Sequence, residues 1–502
     1  MRVWWPLVAV CLGTFMLLVD VTIVNVALPP IAASLGTSFG GLQWVIDGYA
    51  LALAALLMVT GTLADRFGRR RLYLVGLGVF AVASLACGLA PSVGALVAAR
   101  VVQGVGGAAM FATTAALIAT TYHGRQRGTA FGVWGAVNGL AAACGPLLGG
   151  LLTEAWGWRA IFLVNLPVAV LAVVLTLVVV SGSGAGGGAR VDVAGAATFT
   201  VASAALVYGL VSVGEDGWGA TATVVALVLA AVALVAFVVV ERRAAAPMLD
   251  LALFANRSFA ALLAAAAVLQ AAAFAHLALV SIWLQSVLGL SPIRAGLVAL
   301  PLSLASFVVS VSAGRFLHGG SPARPIAGGL ALIGVGVLLM TLVAPTSGPW
   351  VLVTGLVVAG LGVGLATPVL VSATLAVLPP ARAGVGSAAV NTFRQLGLAV
   401  GLAVLGTIFA GRVTTVLAAA GTSDPTATAN ALAGGRAAEV VGAGDATTAL
   451  VHQAFAAGLD RVFTVAGVAA LVAAVVVAVW VRARPAVVAA PEPAPAAEAP
   501  TS

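Results

Sequence analysis

GTLADRFGRRR, Gly61 to Arg71, lies between two long apolar segments and decides how the whole chain is arranged. Four arginines, Arg66, Arg69, Arg70 and Arg71, directly follow an apolar run, and short basic loops resist translocation across a bilayer. The loop is therefore expected on the cytoplasmic face, and it orients every segment before and after it. Working outward, apolar runs of about 20 residues recur on both sides, the length that crosses a hydrocarbon core of roughly 30 Å as a helix. Barrel strands would be shorter and would alternate in polarity. With 62% hydrophobic and 8% charged residues over 502 positions, the chain has too little polar surface to cover a soluble globule.

The pattern predicts an all-α integral membrane protein of about fourteen helices. They are expected near 5–31, 43–64, 72–90, 95–119, 129–152, 160–181, 194–213, 220–240, 259–284, 294–316, 326–344, 350–374, 386–410 and 461–482. A secretory signal is the competing reading of the first segment, but Asp20 and the lack of a small-x-small cleavage site argue that this span is retained. Lysine is absent, so all 23 basic residues are arginine, a usage that points to a GC-rich bacterial genome. With the N-terminus inside, sixteen of them fall in cytoplasmic segments, five outside, and two, Arg100 and Arg394, within spans. That asymmetry favours an even number of helices with both termini cytoplasmic. The net charge of +8 then reports topology and attraction to anionic membrane lipid. Nucleic-acid binding has no soluble basic domain to carry it.

Soluble segments are few. Residues 181–189 are rich in Gly and Ser and read as a flexible linker, and 485–502 is a Pro/Ala-rich tail expected to be disordered in the cytoplasm. Residues 412–460 are expected to form a long outer loop, partly helical and without an activity of its own. Cys11, Cys87 and Cys144 all fall within spans and far apart, and His123, His276, His318 and His452 are scattered. No disulfide, metal site or cofactor is expected from them. Gly104-x-Gly106 lies inside an apolar helix and lacks the strand-turn-helix context of a nucleotide site.

Several further motifs occur in a fixed order. LLVDVTIVNVALP (Leu17 to Pro29), LVAARVVQGVGGA (Leu96 to Ala108) and NGLAAACGPLLGG (Asn138 to Gly150) fall in the first, fourth and fifth spans. WGWRAIFLVNLP (Trp156 to Pro167), WLQSVLGLSPIRAGLVALP (Trp283 to Pro301) and GSAAVNTFRQLG (Gly386 to Gly397) follow. Together with the Gly61–Arg71 loop, they resemble the fourteen-span drug:proton antiporters of the major facilitator superfamily, over about residues 1–484. One departure is Ala141, where the fifth-span motif usually carries glycine. The resemblance implies an N-terminal six-helix bundle over 1–181 and a linker with two inserted transmembrane helices over 182–258. A C-terminal six-helix bundle over 259–484 and the tail 485–502 complete it. It also implies a functional monomer, because both bundles lie in one chain, and a cytoplasmic gate of Gly61, Asp65, Arg66, Gly68, Arg69 and Arg70. The positive N-terminal dipole of the thirteenth span, beginning near Gly384, is a candidate partner for Asp65. In the fifth span, Gly145, Pro146, Gly149 and Gly150 correspond to the antiporter motif, where small residues allow close helix approach and proline removes a backbone donor.

A charge in hydrocarbon costs several kcal/mol unless it meets water or a partner, which singles out Asp20, Asp47 and Arg100. Counting along the helices at roughly 1.5 Å per residue puts Asp20 around mid-membrane, Asp47 about one turn from the outer end of the second span and Arg100 about one to two turns from the outer end of the fourth, so that similar depth permits pairing. Two readings stand. The three form a structural ion-pair network, or one or both carboxylates carry protons, with burial favouring the neutral acid and Arg100 the anion. The family resemblance favours the second, with Asp20 as the preferred carrier. Candidate contacts to a small amphipathic substrate are Asn25, Tyr49, Trp134, Phe274, Trp283 and Arg394, against the alternative of ordinary packing. No Asp or Glu occurs from Leu251 through Gly411, which points to neutral, amphipathic or monocationic substrates. Proton-coupled efflux is the leading function. A proton-coupled importer and an intramembrane enzyme are the alternatives, the last lacking any cluster of catalytic residues.

Overall fold

The computed structural model describes residues 2–122, 124–180, 192–245, 247, 249–316, 321–377, 383–440 and 445–481. The Gly/Ser stretch and the C-terminal tail, as well as Arg190, Arg382, Arg482 and Arg484, lie outside them. The long helices are α1 (Trp5–Leu35), α2 (Phe39–Phe67), α3 (Arg69–Gly88), α4 (Val93–Thr121), α5 (Gly124–Trp156), α6 (Ala160–Val179), α7 (Val193–Asp216) and α8 (Thr221–Arg243). They continue with α9 (Arg257–Val287), α10 (Pro292–Phe316), α11 (Ala323–Leu339), α12 (Val351–Val377) and α13 (Ala383–Ala419). Two short helices, α14 (Pro425–Ala433) and α15 (Ala437–Val440), precede the last long one, α16 (Asp445–Trp480).

Among the described residues, thirteen helices are long and apolar enough to cross a membrane, and fourteen if the bent α5 is one span. The bend in α5 is 42° between Val133–Ala141 and Cys144–Trp156. Its cause is Pro146, which has no N–H for the carbonyl one turn back at Ala142 and crowds it. Outward-facing valines and leucines line α6 and α8, as helices in contact with lipid require. At the Gly61–Arg71 loop, α2 gives way to α3 through Gly68 alone, at φ 95°, a conformation that a side chain disfavours.

The largest departure from the sequence reading lies in 412–460. Span thirteen continues to Ala419 and the last helix starts at Asp445, so the segment is mostly helix. Alanine-rich sequence favours helix wherever packing permits, and Val451, Phe455, Leu459 and Val462 repeat at helical spacing and are buried. Asp424 caps α14 by accepting from the Ala427 N–H at 2.9 Å. Ala429, Leu432 and Ala433 of α14 are buried beneath it.

The helices pack through small residues. α7 pairs with α8 and also lies across α2 and α13, where Val207 and Val211 meet Ala50, Leu51, Ala399 and Ala403. Thr407 Oγ1 donates to the Leu210 carbonyl at 2.8 Å at that crossing. Across α10 and α12, Gly360 and Gly364 press against the backbone carbonyls of Leu302 and Ser306. Glycine permits such approach because dispersion between backbones, not water expulsion, drives association in lipid.

Candidate functional site

Asp20 is at the centre of α1 and fully buried. Its Oδ2 receives Arg100 Nη1 at 2.5 Å, and its Oδ1 receives Gln103 Nε2 and Asn165 Nδ2, each at 2.9 Å. Ser84 Oγ accepts from Gln103 at 2.8 Å and from Asn165 at 3.3 Å. Arg100 also donates from Nε to the Val45 carbonyl at 3.0 Å and from Nη1 to Gln103 Oε1 at 2.7 Å. Its guanidinium stacks 4.3 Å from the centre of the Tyr49 ring. Five helices, α1, α2, α3, α4 and α6, thus close a cage around one carboxylate. Such a pair keeps its charges in hydrocarbon because both carboxylate oxygens, and Nε and Nη1 of the guanidinium, are hydrogen-bonded at once.

Sequence reading found Asp20 and Arg100 but not Gln103, Ser84 or Asn165. Gln103 stands one turn after Arg100 on α4, and Asn165 lies within the quoted Trp156–Pro167 motif, so both carried a signal. Ser84 carried none. Asp47 is not part of the cage: similar depth permitted a pairing with Arg100, but Arg100 faces Asp20 on α1 instead. Asp47 is fully buried on α2, and neither of its carboxylate oxygens has a hydrogen bond. Its helix neighbours one turn away locate it. Gln43 Nε2 donates to the Leu402 carbonyl at 2.9 Å, and Ala50 and Leu51 meet α7 and α13. Asp47 therefore sits at the seam of α2, α7 and α13.

The candidate substrate contacts separate. Asn25 and Phe274 line a cavity of about 30 Å³, together with Thr22, Pro146, Ser281 and Leu284. That is the space of about one water, whereas drug-sized pockets measure roughly 300–1,000 Å³, so the bundle is closed around it. Tyr49 does not reach this cavity, being packed under Arg100 with its ring fully buried. Trp283 is likewise core, 1% exposed, because a π-turn over Trp283–Val287 rotates it into the packing. Trp134 donates from Nε1 to Thr14 Oγ1 at 3.2 Å between α5 and α1. Arg394 is half-buried on α13 and reaches Gln270 of α9.

The antiporter motif divides between two neighbours. Gly145 and Gly149 face α1 inside their own bundle, where a Cβ at Gly149 would lie 2.8 Å from the Ile23 carbonyl oxygen and one at Gly145 would strike Thr22. Gly150 faces α10 across the bundles, with a Cβ there 2.7 Å from Ile293 Cα. The Pro146 carbonyl meets Gly296 of α10, and Glu154 Oε2 accepts from the Ile293 N–H at 3.2 Å. At the opposite end from the basic loop, α14 and α15 cover the junction. Gly434 packs on Phe39 and Thr37, while Gly435 lies against Pro29, Ile282 and Ser286. Leu432→Asp would bury a charge under this cover, costing several kcal/mol, or a tenfold population shift per roughly 1.4 kcal/mol. An Asn25→Cys reporter in a protein without Cys11, Cys87 and Cys144 should then react with an impermeant maleimide at least about tenfold faster. An unchanged rate would mean that the cover does not close this end.

In the basic loop, Arg70 Nη2 donates to the Leu177 carbonyl at 2.7 Å and ties the turn to the end of α6. Arg69 is half-buried and Gly61 faces open space. The side chains of Asp65 and Arg66 lie outside the described residues.

Two bundles of apolar helices meeting across a closed central cavity, with one caged ion pair at mid-span, define a multi-pass membrane transporter. The Major Facilitator Superfamily model matches residues 10–402, and the chain belongs to that family. It is 39% identical over 405 residues to multidrug resistance protein Stp of Mycobacterium tuberculosis, covering 80% of this chain and 75% of the relative. It is 39% identical over 434 residues to the puromycin resistance protein pur8 of Streptomyces alboniger, covering 85% and 86%. In fold it matches an inward-facing, unoccupied bacterial homolog of the human lysosomal transporter Spinster, with a TM-score of 0.66 at 19% identity over 95% of this chain and 96% of the other.

Proposed function

We propose that the protein exports amphipathic drugs or antibiotics in exchange for protons, by alternating access across a bacterial inner membrane. The names of its relatives support drug efflux, and the observation that carries proton coupling is the Asp20–Arg100 cage. A carboxylate held by three donors releases Arg100 when it takes a proton, because the neutral acid loses the attraction that holds the cage shut. Asp47, buried without a donor, is carried as the neutral acid in this closed state, since an unpaired buried charge is the costlier alternative. It is the second candidate for a proton. A proton falling through about 150 mV supplies roughly 3.5 kcal/mol, from about 2.3 per 100 mV. That sustains roughly a several-hundred-fold gradient of a neutral solute.

In this reading residues 1–181 and 259–484 rock against one another, with 182–258 as the inserted pair and 485–502 as a cytoplasmic tail. Both termini and the Gly61–Arg71 loop face the cytoplasm, and Asp65 latches the start of α13 when the cavity faces outward. Gly61, Arg66, Gly68, Arg69 and Arg70 complete that gate. The working unit is a monomer in lipid, without cofactor or enzymatic activity. Inverted vesicles bearing the protein should accumulate members of a broad antibiotic and dye panel when energised with an acid interior. An uncoupler should abolish the accumulation. Failure across the panel, with correctly inserted protein, would count against efflux, and accumulation that survives the uncoupler would count against proton coupling.

A further inference from the structure

We propose that Arg394, oriented by Gln270, binds an acidic group, a carboxylate or ionised phenol, on the transported compound. The inference rests on the efflux reading and names a substrate class for it. Arg394 lies about three turns into α13, eleven residues past its start at Ala383. Its Nε and Nη2 both donate to one neutral acceptor, Gln270 Oε1, at 3.3 Å each. No acidic residue exists from Leu251 through Gly411 to neutralise it, and among the described residues the intramembrane ion pair is the one made by Arg100. Long bonds to an amide leave a guanidinium in hydrocarbon far short of the bidentate anion its geometry suits.

The unused N–H groups are not sealed in the core. None is among the fully buried polar atoms without partners, and the side chain is half-buried. Gln270 is followed at once by a π-turn over Ala271–Ala275, a distortion that recurs at functional sites. Phe274, Leu277 and Ser281 follow Gln270 at helical spacing on α9 and line the central cavity. The guanidinium thus stands about one turn from that cavity, on the side of the basic loop. Gly397 of α13 lets the backbone of α9 approach so closely that an added Cβ would lie 2.5 Å from Ala267 Cα. That contact holds the two side chains in register.

Asp20 cannot serve as the matching site for a cation in this state, because Arg100 already occupies it. An amphipathic acid matches this chemistry instead, in place of the neutral or monocationic compounds expected from the sequence: once the closed cavity opens, its apolar body would meet Phe274, Leu277 and Leu284 and its anion Arg394. A small inorganic anion would satisfy the same donors and is separated from this by experiment.

The test compares rhodamine B with its ethyl ester, which differ in the carboxylate, in inverted vesicles of the full-length protein. The wild type should transport the acid, and Arg394→Gln should lower the acid-to-ester rate ratio at least about tenfold, the worth of one charged hydrogen bond. Arg394→Lys should recover part of the ratio. An equal fall for both dyes marks a structural role and overturns the proposal, as does an unchanged ratio. If the wild type moves neither dye, the efflux reading fails for them. The anion site is then decided separately by fluorescein anisotropy with nanodisc protein in chloride-free buffer. Binding that Arg394→Gln loses supports it, and equal binding by both proteins, or none to the wild type, overturns it. Fluorescein binding abolished by millimolar chloride would assign the site to the inorganic ion.

Discussion

Asp20→Asn protein should insert and fold, yet lose proton-driven accumulation, falling from roughly a several-hundred-fold gradient to about none. Asparagine keeps the shape of the side chain and can still accept from Gln103 or Asn165 through Oδ1, so the cage retains part of its bonding. What it lacks is a charge that appears and disappears. Arg100 then faces a neutral partner permanently, and the switch between paired and released states has no proton to work it. Removing one member of a buried pair also costs about 3–5 kcal/mol, so a loss of transport by itself is ambiguous. Substrate counterflow without a proton gradient separates the causes. Counterflow that persists while driven uptake vanishes identifies a coupling residue, whereas loss of both makes the pair structural. Proton-driven export by a folded Asp20→Asn protein would remove Asp20 from the mechanism.

Gly150→Leu should reduce transport by about tenfold to a hundredfold, without a matching loss of stability. The added side chain strikes Pro292 and Ile293 of α10, and overpacking costs about 1–3 kcal/mol. That cost falls on the state in which the two bundles are closed at the end far from the basic loop, so it shifts the balance between states. Gly149→Leu is the control. Its side chain strikes Ile23 and Val26 of α1 within the same bundle, a contact that both states keep if the bundles move as units. Gly149→Leu should therefore lower the melting temperature, and Gly150→Leu should instead raise maleimide reactivity at Asn25→Cys. Equal melting losses with no change in reactivity in either variant would show that the motif is ordinary packing.

How much of the site was legible depends on the range of the interaction concerned. Asp20 and Arg100 stood out because a charge within an apolar run is conspicuous, and Gly68 because a basic turn between helices needs a break. For Tyr49 and Trp283 the choice between cavity contact and ordinary packing stayed open in the sequence: aromatic residues in spans look alike, and which way they face depends on helix rotation and, for Trp283, on a π-turn. The covering helix α14 was hidden in an Ala/Gly-rich stretch, since alanine shows no polarity pattern from which a buried face can be counted. Asp47 stood as a possible partner for Arg100 because depth can be counted along a helix and azimuth cannot.

The amino-acid sequence by itself determined the solvent, the helical class, the approximate spans and the order of the family motifs. Hydropathy is summed residue by residue along the chain, and a bilayer answers that sum with helices whatever the neighbours do. Only the tertiary structure decided that Asp20 is enclosed by Gln103, Ser84 and Asn165, that the fifth-span glycines serve two different seams, and that Arg394 is left with an amide for company. Those facts depend on how helices from distant parts of the chain rotate and approach. In lipid that is decided by close packing of small residues and the pairing of rare polar groups, which no single stretch of sequence contains.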